Sequence, residues 1–137
     1  MRRLGFGGLL AVGLTLAGGP VRGQDVLKVV EDGKTRAIVV VDAKAGKWEK
    51  QAADDLVKYI ERMTGAKPQL ATLGAPAPAD APLIVVGSAA LKADPTLAQA
   101  LAKAGKAQPV LRGDAIVLRR AGNRVLVAGT NDDSHYY

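Results

Sequence analysis

The residues with the most chemical potential in this chain gather at its far end. Asp132, Asp133 and His135 put two carboxylates and the only imidazole within four positions. Asp and His side chains are the usual oxygen and nitrogen ligands of divalent metals. Here they carry no metal-ligand spacing signature, and they follow a strand-like run where turn and capping residues belong. Asp54 and Asp55 are adjacent acids. Glycosidases need two carboxylates flanking one bond at about 5–9.5 Å, but neighbours on a helix point about 100° apart, so surface charge explains this pair better. Gly87-Ser88 closes an apolar run ahead of a helix, as a phosphate-binding turn would. It lacks the glycine spacing of a nucleotide loop and reads as a tight strand exit. Ser88, His135 and an Asp contain the residue types of a hydrolytic triad, without a nucleophile-elbow motif. Trp48 offers a ring that can stack on a sugar, yet it lies in phase with an apolar helical stripe. These readings identify no catalytic, cofactor-binding or metal-ligating residue, and no cofactor is expected.

The elements that would position these groups follow from periodicity. Lys47–Gly65 (KWEKQAADDLVKYIERMTG) places Trp48, Ala52, Ala53, Leu56, Val57, Ile60 and Met63 at three- and four-residue steps, the pattern of an amphipathic helix. Gly65 suits a left-handed cap, and Pro68 stops continuation. Before the helix, VLKVV (Val26–Val30) and AIVVV (Ala37–Val41) flank Asp32-Gly33 and predict a β-hairpin. The unbroken AIVVV run predicts a central, covered strand. Pro68–Leu73 reads as an edge strand and Leu83–Val86 as a short buried one. Between them lies an Ala/Pro-rich surface loop, Gly74–Pro82. A second helix is expected from about Asp94 to Ala104, with Asp94 as N-cap, Pro95 at its first position and Gly105 closing it. AIVLR (Ala115–Arg119) and RVLVA (Arg124–Ala128) predict a second hairpin around Ala121-Gly122-Asn123. Asp133 or Ser134 is placed to cap a third helix starting at His135. The expected fold class is α/β (α+β): a two-layer sandwich with a mixed or largely antiparallel sheet of about six strands and two helices on one face.

Composition narrows the setting. Arg2-Arg3, the apolar run Leu4–Ala17, and Val21 and Gly23 at the −3 and −1 positions describe a secretory signal peptide over residues 1–23. Cleavage is expected after Gly23, with export to the periplasm or the extracellular space. The run is shorter than the roughly 20 residues that span a bilayer, so no membrane association is expected after cleavage. The formal charge of +6, from 19 Lys+Arg against 13 Asp+Glu, falls to 16 against 13, or +3, once Arg2, Arg3 and Arg22 leave. No aromatic-interleaved basic stripe points to nucleic acid. There is no cysteine, which excludes disulfides and thiolate metal sites. Residues 24–137 make one domain of modest core.

Three pieces in this order, AADDLVKYIERMTG (Ala52–Gly65), LIVVGS (Leu83–Ser88) and VLVAGTNDDSHYY (Val125–Tyr137), resemble the N-terminal accessory domain that precedes the catalytic barrel in bacterial α-glucuronidases and β-N-acetylhexosaminidases. The resemblance spans most of residues 35–137. It implies a non-catalytic domain of an exported glycoside hydrolase, supporting a downstream (β/α)8 barrel of the same polypeptide in polysaccharide degradation. The catalytic carboxylates of that family lie in the barrel, so none transfers to this chain. The alternative is a stand-alone carbohydrate-binding or protein-interaction module, with glycans as the possible partner.

Overall fold

A computed structural model describes residues 26–105 and 115–136; the expected signal peptide lies outside them. Among the described residues there are five strands and three helices. The strands are β1 (Ile38–Val41), β2 (Gln69–Thr72), β3 (Leu83–Val86), β4 (Ile116–Ala121) and β5 (Arg124–Gly129). The helices are α1 (Lys47–Thr64), α2 (Ser88–Ala93) and α3 (Thr96–Ala104). The strands form one sheet in the order β2-β1-β3-β5-β4. β1–β2, β1–β3 and β3–β5 pair in parallel, and β4–β5 is antiparallel.

The α/β class with a mixed sheet is the one read from the sequence; the finer arrangement differs. There are five strands rather than about six, because Val26–Val30 forms no strand. The expected first hairpin shrinks to one antiparallel bridge, Glu31–Lys34, around Asp32 and Gly33, both at positive φ. Lys28 and Lys34 leave those flanks no continuous apolar face, and Val29 and Val30 instead pack against the core side chains beneath α1. The second hairpin forms as read, with Gly122-Asn123 as its two-residue turn.

Helices lie on both faces of the sheet rather than one. Successive strand side chains point to opposite faces, and β1 is buried at every position. Val39 and Val41 pack with Ile84, Val86 and the Ala53, Val57 and Ile60 stripe of α1. Ile38 and Val40 pack with Val85, Leu126 and Ala128 under Ala89, Ala90, Leu97 and Leu101 of α2 and α3. The division follows from connectivity. The α1 crossover returns the chain to one side of β1, as β2, whereas β3 lies on the other side of β1 and sends α2 and α3 across the opposite face. Strand order therefore reverses between β1 and β3. In open α/β sheets the crevice at the carboxyl ends of such strands is where ligands bind.

Candidate functional site

Ionisable side chains gather at the reversal point. Asp42 ends β1, Glu49 stands in the first turn of α1, Gly87-Ser88 ends β3, and the segment after β5 brings Asp132 and His135 over them. Glu49 is its centre. The side chain is 3 % exposed, and four donors reach its two oxygens. Oε1 accepts the Ser88 backbone N–H and lies 3.2 Å from His135 Nε2. Oε2 accepts the Ser88 hydroxyl at 2.9 Å and the Gly46 backbone N–H at 3.3 Å. A buried carboxylate is tolerated only when its lone pairs are met in this way.

The imidazole of His135 is equally committed. Its Nδ1 accepts the Gly129 backbone N–H at 2.8 Å. An accepting Nδ1 leaves the ring proton on Nε2, which donates it to Glu49. Burial holds the His135 pKa below its ordinary value of 6.5, against the opposing pull of Glu49 and Asp132. Ser88 and His135 thus meet, but with Glu49 between them. A serine nucleophile needs an imidazole with a free acceptor nitrogen facing its hydroxyl. Here the acceptor nitrogen serves Gly129 and the donor nitrogen serves the carboxylate, so this is no hydrolytic triad.

Asp132 serves the start of α1. The N-cap of α1 is Gly46, which has no side chain to offer. Asp132 replaces it from the far end of the chain, accepting the Trp48 and Glu49 backbone N–H groups at 3.4 and 3.2 Å. These are the orphan donors that a local Ser or Asp would otherwise satisfy. The tight approach rests on glycines. A Cβ on Gly129 would strike the backbone of Ser134 and His135, and one on Gly87, at φ 65°, would strike the Glu49 carboxylate.

The remaining candidates separate. Asp132 and His135 turn inward, and among the described residues no group of three or more His, Asp or Glu side chains is placed to hold a metal. Asp55 accepts the Tyr136 hydroxyl at 3.0 Å, whereas its neighbour Asp54 lines the opposite flank of α1 toward β2. Asn131, rather than Asp133 or Ser134, caps the final turn: it accepts the Ser134 N–H at 2.8 Å through Oδ1 and the His135 N–H at 3.0 Å through its carbonyl. Gly87-Ser88 opens the short helix α2, which sequence reasoning missed. Asp94, expected as the N-cap of the second helix, instead ends α2 one residue before the Pro95 N-cap of α3, and its carboxylate accepts the Thr96 N–H at 3.0 Å. The Thr96 hydrogen bonds and Arg119 at 2.8 Å hold its carboxyl below the usual carboxylate value.

Sequence reasoning also missed Glu49 and Asp42. Asp42 pairs with Lys92 of α2 and accepts the Lys44 N–H at 2.8 Å; these contacts, Lys92 foremost, lower its pKa. The one available signal for Glu49 was its place at the third position of a helix, where an acid reaches back to the N-cap N–H. No buried side-chain nitrogen or oxygen among the described residues lacks a partner. At the reversal point Glu49, Ser88 and His135 are bonded to one another and to neighbouring backbone. Compared with family profiles, with curated proteins and with solved structures, the chain matches none.

Proposed function

We propose that this chain is a non-catalytic accessory domain of an exported glycoside hydrolase, α-glucuronidase-like or β-hexosaminidase-like. It packs against a catalytic (β/α)8 barrel of the same polypeptide and helps to orient it. The observation that carries the non-catalytic half of this reading is the saturation of Glu49. A general acid or base must have a proton or a lone pair to exchange with substrate, and the two Glu49 oxygens already answer Ser88, His135 and Gly46. The glycoside-hydrolase half is supported by the order of the three sequence pieces described above.

The test is the coding sequence beyond Tyr137. A (β/α)8 barrel in frame, or encoded immediately alongside, is the expected result. A stop codon with no barrel nearby overturns the reading. Independently, the chain by itself should release no product from nitrophenyl glycosides. Turnover that disappears in Glu49→Gln would assign catalysis to the buried cluster and overturn the non-catalytic half.

A further inference from the structure

The α2–α3 face of the sheet is covered by helices over part of its width and by a loop over the rest. α2 lies against β1, β3 and β5, and α3 against β4. Toward β2 the cover is the Ala/Pro-rich loop that joins β2 to β3. Both ends of this loop are pinned. The Leu73 N–H donates to the Val41 carbonyl at 2.8 Å, and Gly74 turns the chain at φ 91°. At the other end the Asn123 side-chain amide donates to the Ala79 and Ala81 carbonyls at 3.1 and 3.0 Å. Pro76, Pro78 and Pro82 restrict the backbone along the way. From Gly74 to Ala79 no side chain is larger than proline's, so the loop bridges the sheet without filling the space beneath it. A cavity of about 330 Å³ remains between the loop, Ala93 of α2 and the sheet, a size that suits a small molecule.

The cavity is apolar within and basic at its rim. Its floor is Ile38 and Val40 of β1 with Leu83 and Val85 of β3. Arg124 lies at its edge. This residue pairs in register with Leu83 and stands two positions before Leu126, which is buried beneath α2 and α3, so its side chain belongs to the same face. Two acids are close in the fold, and both are already taken. Asp80, between the two carbonyls held by Asn123, pairs with Arg36, and Asp94, next to Ala93, pairs with Arg119 at 2.8 Å. Among the described residues Arg124 makes no ion pair. A guanidinium without a counter-charge beside an apolar slot complements a carboxylate carried on an apolar body.

We propose that this cavity binds a small apolar monocarboxylate, with its hydrocarbon body under the loop and its carboxylate on Arg124. Other ligand classes fit less well. A sugar would bring several hydroxyls against Ile, Val, Leu and Ala side chains, and a hydroxyl buried without a partner is costly. An ammonium would meet the like charge of Arg124. The site is distinct from the Glu49 cluster: Leu83 and Arg124 begin their strands, whereas Ser88 and Asp132 follow the ends of theirs. It assigns binding and no catalysis, and it does not rest on the accessory-domain reading. The proline-restricted, hydrogen-bonded loop makes the slot largely preformed, which reduces the ordering cost of binding.

The test is a titration of the isotope-labelled 137-residue chain with sodium octanoate at neutral pH, followed by amide NMR shifts. Saturable shifts are expected at Ala71, Ala79 and Ala93, with a Kd of about 1 mM or tighter. Octanol and octylammonium, of the same length without the carboxylate, should bind about tenfold or more weakly. Arg124 and Ala93 are both exposed, so substitutions there should leave the spectrum of the folded chain in place. Arg124→Gln should weaken octanoate by about tenfold or more and leave octanol unchanged. Ala93→Phe should abolish the octanoate shifts by filling the slot. Any of three results overturns the proposal: no shift at several millimolar octanoate, equal binding of octanoate and octanol with no response to Arg124→Gln, or shifts confined to Trp48 and Leu118 on the other side of the sheet. None of the three touches the accessory-domain reading, which is decided by the coding sequence.

Discussion

Two regions on the same side of the sheet meet at Tyr136 and are built on opposite principles. The carboxyl edge of β1, β3 and β5 is polar, buried and complete: Glu49, Ser88, His135 and Asp132 answer one another, and three backbone N–H groups of the α1 start are capped within the cluster. Among the described residues, the half of the α1-side face over β5 and β4 is apolar and open, with Leu118 of β4 and Met63 of α1 about three-quarters exposed. Both positions are common homes for ligands or partners. The difference teaches that the usual location of a site is weaker evidence than the state of its atoms. In the buried cluster at the carboxyl edge the polar atoms are committed to one another, whereas the half-face retains apolar area that water covers at a cost of about 25 cal/mol per Å².

The comparison can be broken most forcefully at Glu49. Glu49→Ala strands the Ser88 and Gly46 N–H groups and the His135 ring proton in a buried place. A loss of about 3–5 kcal/mol is expected, as when one partner of a buried polar pair is removed, measured by urea unfolding. A loss below about 1 kcal/mol would mean that water enters the cluster and that the edge is not closed. Gly129→Ala comes next. Its new Cβ meets backbone rather than a movable side-chain tip, so the segment 130–136 must shift, for about 1–3 kcal/mol. Trp48 fluorescence should change with it, because Tyr136 moves away from the indole.

Asp132→Ala removes the cap that α1 borrows from the far end of the chain, and about 1 kcal/mol should follow. Asp132→Asn, whose single side-chain oxygen can accept only one of the two N–H groups that Asp132 takes with separate oxygens, should recover only part of it. Acidification probes the same edge more gently. The folded-state pKa of His135 lies below 6.5, so the unfolded chain takes up its proton first. Stability from this group is fully present above pH 6.5 and is lost as pH falls through the depressed folded value. Protonation at Nδ1 also ends its acceptance of the Gly129 N–H. His135→Asn should flatten the stability profile over that window, whereas the Asp42 and Asp94 contributions fade only below their ordinary value of 3.8. The smallest effect belongs to the open face: Leu118→Thr in the 137-residue chain should change stability by no more than about 0.5 kcal/mol. A larger loss would show that Leu118 is already covered.

Local rules carried the reading of the elements a long way. The α1 stripe, the buried β1, the Pro-led edge strand β2 and the Gly122-Asn123 hairpin each depend on residues within a few positions of one another, so periodicity and turn chemistry reveal them. Local rules failed at Val26–Val30, where β-rich composition had no partner strand to join, and at Ser88–Ala93, where six residues are too few to display a helical period. The polar cluster was illegible for a different reason. Its components were visible as Asp132, His135 and Ser88, but its centre, Glu49, looked like any first-turn acid of a surface helix.

By itself the sequence determined the α/β class, the position of the long helix, the apolar strands at the heart of the sheet, and the absence of thiol chemistry. Only the tertiary structure decided that the helices divide between two faces, because a strand run that is apolar throughout says that both sides are covered without saying by what. Only it decided that Asp132 caps a helix 83 residues earlier and that Glu49 lies between Ser88 and His135. Such contacts leave no periodic trace. They arise where the parallel strand order brings three carboxyl ends together, and whether a serine, an acid and a histidine there become a reactive site or a closed one depends on which atom faces which.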